Sequence, residues 1–105
     1  MSVPKSHSDI LVDEARSILS TFGPNNELFS GFCFIRYEDG QILLSSIDDE
    51  QMIYILSNAK VSILIIDPSN VDRWFCIQGT ISPINIKESH FQVKIREVIK
   101  FPKEG

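Results

Sequence analysis

The sequence predicts an all-β domain in which six antiparallel strands close a small barrel and one internal helix spans an opening. Three observations predict it. Apolar and polar residues alternate with a period of two, as in Phe91, Val93 and Ile95 against Gln92, Lys94 and Arg96. Strong turn formers separate the alternating runs, at Gly23-Pro24-Asn25-Asn26, Glu38-Asp39-Gly40 and Asp67-Pro68. Only one internal segment, near 48–58, has its apolar residues at helical spacing.

In chain order, Ser8 to Glu14 suits a short helix, with Ile10, Leu11 and Ala15 opposite Asp9, Asp13 and Glu14. The first strand runs over 16–22. The second, 27–37, carries Phe29, Phe32, Phe34 and Ile35, and the third covers 41–45. Short turns between consecutive strands make an antiparallel meander. Ser46, three residues before Asp49, has capping-box spacing, and Asp48, Asp49 and Glu50 fill the positively polarised first turn of the helix. Met52, Ile55, Leu56 and Ala59 would form its apolar face. The fourth strand, 60–67, holds the nearly unbroken run Val61 to Ile66, a composition that must be covered on both faces. Pro68 lacks an amide donor and ends it. The fifth strand, 73–83, sets Trp74, Cys76 and Gln78 on one face and Phe75 and Ile77 on the other. Ile84 to Glu88 connects to the sixth strand, 91–101, which stops at Pro102.

At 105 residues this is one domain, 1–105, with a real core but a high surface-to-volume ratio that favours pairing with a copy of itself. Hydrophobic content of 43% and a mean hydropathy of +0.02 describe a compact globule. A net charge of -4 opposes nucleic-acid binding, which needs a basic face. An oligonucleotide-binding barrel could draw on Phe29, Phe32 and Phe34, but the charge is wrong for it. No apolar run reaches membrane-spanning length and the amino terminus has no secretory core, so a cytoplasmic protein is expected. Cys33 and Cys76 read as a disulfide, a reactive thiol or, more plainly, two small buried hydrophobes. His7 and His90 lack the spacing of a metal site and read as exposed polar residues, so no metal is expected. There is no G-x-S-x-G, P-loop or Rossmann glycine pattern, and no catalytic residue is identifiable.

The stretch KVSILIIDPSNVDRWFCIQGT orders an aliphatic strand, an Asp-Pro loop, an Arg-aromatic strand and a Gly. That order resembles the central hairpin of the pyridoxamine 5'-phosphate oxidase-like, FMN-binding split barrels. EARSILSTFGPNNELFSGFCFIRYEDGQILLSS resembles their opening meander, and VKIREVIKF their closing strand. The resemblance spans about Asp13 to Phe101. It implies a Greek-key split β-barrel and a homodimer with flavin at its interface, and an FMN-dependent oxidoreductase of unknown substrate. A deazaflavin is the second choice of cofactor. The alternative is a cofactor-free homodimer with a binding or regulatory role.

By that resemblance the flavin ring rests on the end of the third strand, at Ser45 and Ser46, and basic residues near the next helix hold its phosphate. Here that stretch is Ile47-Asp48-Asp49-Glu50-Gln51-Met52-Ile53, and no basic residue occurs between Arg36 and Lys60. Each carboxylate there would repel a flavin phosphate by roughly 1 kcal/mol in a well-solvated setting. Lys60 and Arg73 are the neighbouring cations. Trp74 could pack on a flavin edge or fill the core, and Gln78 could bond the ring or a cross-strand partner. The sequence therefore predicts weak FMN binding, with riboflavin bound no worse.

Overall fold

The computed structural model describes residues 3–11, 15–23, 25, 27–85, 87 and 90–103. Among them are six strands and one α-helix: β1 Ala15–Phe22, β2 Leu28–Glu38, β3 Gln41–Ser45, α1 Asp49–Ser57, β4 Lys60–Asp67, β5 Asn70–Asn85 and β6 His90–Phe101. All neighbouring pairs are antiparallel, and the order β1-β2-β3-β6-β5-β4 closes on itself through β1 and β4. Closure gives every strand two neighbours, although β6 meets β3 only over Phe91–Val93.

The two-residue alternation sorts side chains to the two faces of this sheet. Leu19, Ile35, Ile63, Ile65, Phe75, Ile77 and Phe91 are fully buried inside the barrel. Asp39 and Gly40, at φ 52° and 77°, make the left-handed turn that a tight β2–β3 hairpin requires. The β5–β6 pairing shifts register between Gln78 and Gly79, so Gly79 faces Ile95 at a bulge. At Gly79 the two backbones approach so closely that a Cβ would overlap the Lys94 carbonyl oxygen.

Several expectations need correction. The lead-in segment is a 3-10 helix over Lys5–Leu11, and residues 12–14 of the expected helix lie outside the described residues, as do Pro24 and Asn26 of the first turn. It buries Leu11 and His7, the latter 1% exposed instead of solvent-facing. The His7 ring meets Phe75 edge-on, and its Nε2 donates to the Phe101 carbonyl at 2.9 Å. A carbonyl only accepts, so Nε2 carries the proton and Nδ1 takes the Ser6 hydroxyl at 2.8 Å.

Helix α1 is capped by Asp48 instead of Ser46: the Asp48 carboxylate accepts the Glu50 N–H at 2.9 Å. Its buried face holds Gln51 and Ile55; Leu56 is 61% exposed, and Ala59 lies beyond the Asn58 C-cap and is exposed. Gln51 turns inward, where its Nε2 donates to the Leu19 carbonyl while its Oε1 is buried without a hydrogen-bond partner among the described residues. Strand β5 continues through Ile84 and Asn85, where a connection was expected, because Pro83 and Asn85 still pair with β6 across a second irregularity.

Candidate functional site

The outer surface of the sheet divides into an apolar face and two flanks. Opposed outward residues form one row, Phe32 with Ile18, Ile18 with Leu64, Leu64 with Cys76 and Cys76 with Ile99. A second row ends in Ile66, Trp74 and Phe101. Phe32 is 58% exposed, Phe101 46% and Ile99 40%. Barrel interiors are lined by one face of each strand, so this second apolar face points outward, and among the described residues Phe32, Ile99 and Phe101 on it stay exposed. The Arg16 guanidinium covers Phe32 at 4.1 Å from the ring centroid. Phe75 is fully buried, because strand parity points it inward, opposite to Trp74.

On one flank, Ser45 ends β3 on the outer face, half-buried and opposite Phe34 of β2. Ser46 follows, exposed, with φ 59° that a non-glycine residue adopts only under local strain. Beside Ser45 lies a cavity of about 270 Å³ lined by Arg36, Leu43, Leu44, Ser45, Ile84, His90 and Phe91. Arg36 is placed by β2 parity, opposite Leu43, while His90 opens β6 next to the buried Phe91. The sequence assigned neither to this site; His90 was read only as an exposed polar residue. Only the closure of β3 against β6 brings His90 to Ser45, and no local pattern announces that pairing.

The helix start beyond Ser46 does not fit a phosphate. Its N–H at Glu50 is already held by Asp48, and Asp48, Asp49 and Glu50 are all exposed acids. An anion placed there meets three carboxylates and no cation.

The other flank holds Trp74 and Gln78. Trp74 is half-buried and faces outward, its ring stacked on Phe101 with centroids 5.9 Å apart and planes 12° from parallel. It does not fill the core. Gln78 is exposed on the same strand and face, opposite Glu97, and Lys60 is exposed at the start of β4, opposite Thr80. Arg73 is committed elsewhere. Its Nη1 donates to Asp67 and Asp9, each at 2.9 Å, and its Nη2 to Asp9 and to the Ser6 carbonyl at 2.6 Å. Those bonds tie the 3-10 helix to the β4–β5 turn. They raise the Arg73 pKa and, as the largest cause, hold the Asp9 carboxyl below its ordinary value. Asp67 is lowered first by the Ser69 N–H and then by Arg73.

Within one protomer, then, Ser45 and Ser46 do not meet Trp74 and Gln78. From β3 to β5 by the row across β2, β1 and β4 is four strand steps, about 19 Å at roughly 4.8 Å each. Through β6 it is only two, but Leu44 beside Ser45 pairs with Phe91 at one end of β6 and Trp74 with Phe101 at the other, roughly 30 Å apart along the strand. Cys33 and Cys76 are both free; Cys33 is buried, and burial pushes its thiol up to about 12. Among the described residues no cluster could hold a metal ion, and no helix is long and apolar enough to cross a membrane.

No family model matches the sequence, and no curated protein matches it. The fold, however, matches solved structures over nearly its whole length. An F420 reductase superposes with a TM-score of 0.76 at 14% identity, covering 92% of this chain and 98% of that one. HutZ, the heme storage protein from Vibrio cholerae, gives 0.73 at 10% identity, covering 95% of each. A protein from Clostridium acetobutylicum, related to general stress protein 26 of B. subtilis and described as of the pyridoxinephosphate oxidase family, gives 0.66 at 12% identity and 91% of each. The names of these proteins point to different ligands, so the shared fold does not by itself select one. Six antiparallel strands in this closed order, with the helix between the third and fourth and these superpositions, give the chain the split-barrel fold of the pyridoxamine phosphate oxidase-like proteins.

Proposed function

We propose that the protein is a cytoplasmic homodimer that binds a flavin between its subunits, as an oxidoreductase of the pyridoxamine 5'-phosphate oxidase-like class. The observation that carries this reading is the exposed apolar face bounded by Ser45 on one flank and by Trp74 on the other. An isologous pairing about a two-fold axis along the strands covers that face and lays the Ser45 flank of one subunit against Trp74 of the partner subunit. The separation within a protomer is then closed across the interface. The ring would meet the Ser45 and Ser46 hydroxyls on one side, and the flat Trp74 indole with the Gln78 amide on the other.

FMN is the first choice of ligand and a deazaflavin the second, the latter supported by an F420 reductase among the structural neighbours. A bound flavin supplies the hydride chemistry; the chain's residues orient its ring and exclude water from it. Arg73 is left out of phosphate binding because Asp9, Asp67 and Ser6 already use its donors. The acids at Asp48–Glu50 favour a second reading, a homodimer that keeps the barrel without a cofactor.

Riboflavin, which tests the ring site without the phosphate, separates the two. Saturable binding to wild type that is lost in Trp74→Ala supports the flavin reading. No binding of riboflavin or FMN to a protein that sediments as a dimer supports the cofactor-free one. A monomer of 11.9 kDa at micromolar concentration overturns both.

A further inference from the structure

The cavity beside Ser45 has a chemistry that the helix start lacks. Its lining is apolar at Leu43, Ile84 and Phe91, while Arg36 and Ser45 bring donors to it and His90 lines it beside them. Arg36 carries a fixed positive charge, and its Nε pairs with Glu38 at 2.9 Å. A guanidinium has five N–H donors, so that pair does not exhaust it. The Ser45 hydroxyl adds another donor. About 270 Å³ is below the range for whole drug-sized ligands but admits one end of such a molecule.

We infer that this cavity is the seat for the phosphate end of an amphipathic phosphate ester, held by Arg36 and Ser45. The assignment rests on the flavin reading only for the identity of that ester, which would be FMN. Ser45 borders both the cavity and the apolar face, so a ring at the interface and a phosphate in the cavity lie on adjoining surfaces. Arg–phosphate contact is short, charge-assisted and able to use two N–H donors at once. The acids of α1 then stand outside the phosphate site instead of within it. On this assignment FMN binds more tightly than riboflavin, the reverse of what the helix start alone predicts.

The test uses the full-length protein and phenyl phosphate, a small ester that needs no flavin site, with phenol as its neutral counterpart. Backbone amide resonances are followed by NMR during titration. Phenyl phosphate should shift Leu44, Ser45, Ile84 and Phe91, with phenol at least tenfold weaker. Arg36→Gln should weaken phenyl phosphate about tenfold, the loss expected of one charge-assisted bond. Gln at 36 keeps an exposed polar side chain, and Ser45→Ala provides a second variant whose fold the same spectra verify. Equal binding of phenol and phenyl phosphate would show an apolar hole only. Shifts at 48–50, unchanged affinity in both variants, or no binding at all would each overturn the assignment. Phenyl phosphate bound at the cavity with no affinity for riboflavin or FMN would leave the seat standing and sink the flavin reading.

Discussion

Replacing Gly79 with alanine should be among the most damaging single-methyl changes the barrel can suffer. The new Cβ would stand 3.1 Å from both the Lys94 carbonyl carbon and Val93 Cγ1, with the Lys94 oxygen nearer still. Carbon atoms pack best at about 3.5–4.0 Å, so these contacts are repulsive. Val93 could rotate, but the Lys94 peptide is held in the β5–β6 ladder on either side, where Thr80 pairs with Lys94 and Ile81 with Val93. Relief requires the strands to part at the bulge. Overpacking alone costs about 1–3 kcal/mol, and each disrupted ladder bond adds about 1 kcal/mol. The expected loss is about 3–5 kcal/mol, a large share of the roughly 5–15 kcal/mol that holds a domain of this size together. Thermal unfolding followed by circular dichroism should show Tm lowered by about 12 °C or more. Gly40→Ala is the control: nothing lies within 4 Å of its Cβ, but its φ of 77° costs an alanine about 1–2 kcal/mol. A Gly79→Ala protein no less stable than Gly40→Ala would refute the close approach of β5 and β6.

Three further outcomes follow from the same geometry. Asp9 and Asp67 both have carboxyl pKa values lowered in the folded state. Their contribution is therefore complete above the ordinary carboxylate value of about 3.9 and is lost as pH falls through the folded values. Asp9→Asn should flatten the fall in Tm between neutral pH and pH 3; an unchanged slope would show that the clamp is not formed. Phe32→Asp leaves the core intact, since Phe32 is 58% exposed and Arg16 stands over it. It should weaken the proposed dimer by about 2 kcal/mol, roughly thirtyfold, seen as a monomer by sedimentation at micromolar concentration. Thiol labelling at pH 8 should spare Cys33, whose thiol is buried and raised to about 12, while Cys76 should label faster in Phe32→Asp than in wild type.

The barrel was legible in the sequence because its determinants are local. Alternation fixes the face of each residue, and Asp39-Gly40 and Pro68 fix where strands stop, so β3 and β4 lie at 41–45 and 60–67 as read. Helix α1 was placed correctly, and Met52 and Ile55 face the core as read, but Leu56 and Ala59 do not and Gln51 takes a buried place. Gln51 is polar, and an apolar period cannot reveal a side chain buried to bond the Leu19 carbonyl. His7 was missed for the same reason; its partner Phe101 lies 94 residues away. Arg73 was read as a free cation because Asp9, 64 residues distant, gives no local sign of its claim on it. That β3 ends at Ser45 was legible, whereas Arg36 and His90 reach it only through β2–β3 and β3–β6 pairing.

Trp74 is the only tryptophan, and the proposed site places a flavin ring against it only when two subunits are joined. Quenching of tryptophan emission during riboflavin titration, compared between wild type and Phe32→Asp, therefore tests the interfacial site most directly. The account predicts saturable quenching in wild type and none at the same concentrations in the monomeric variant. Equal quenching in a monomer, or none in a wild-type dimer, would contradict it.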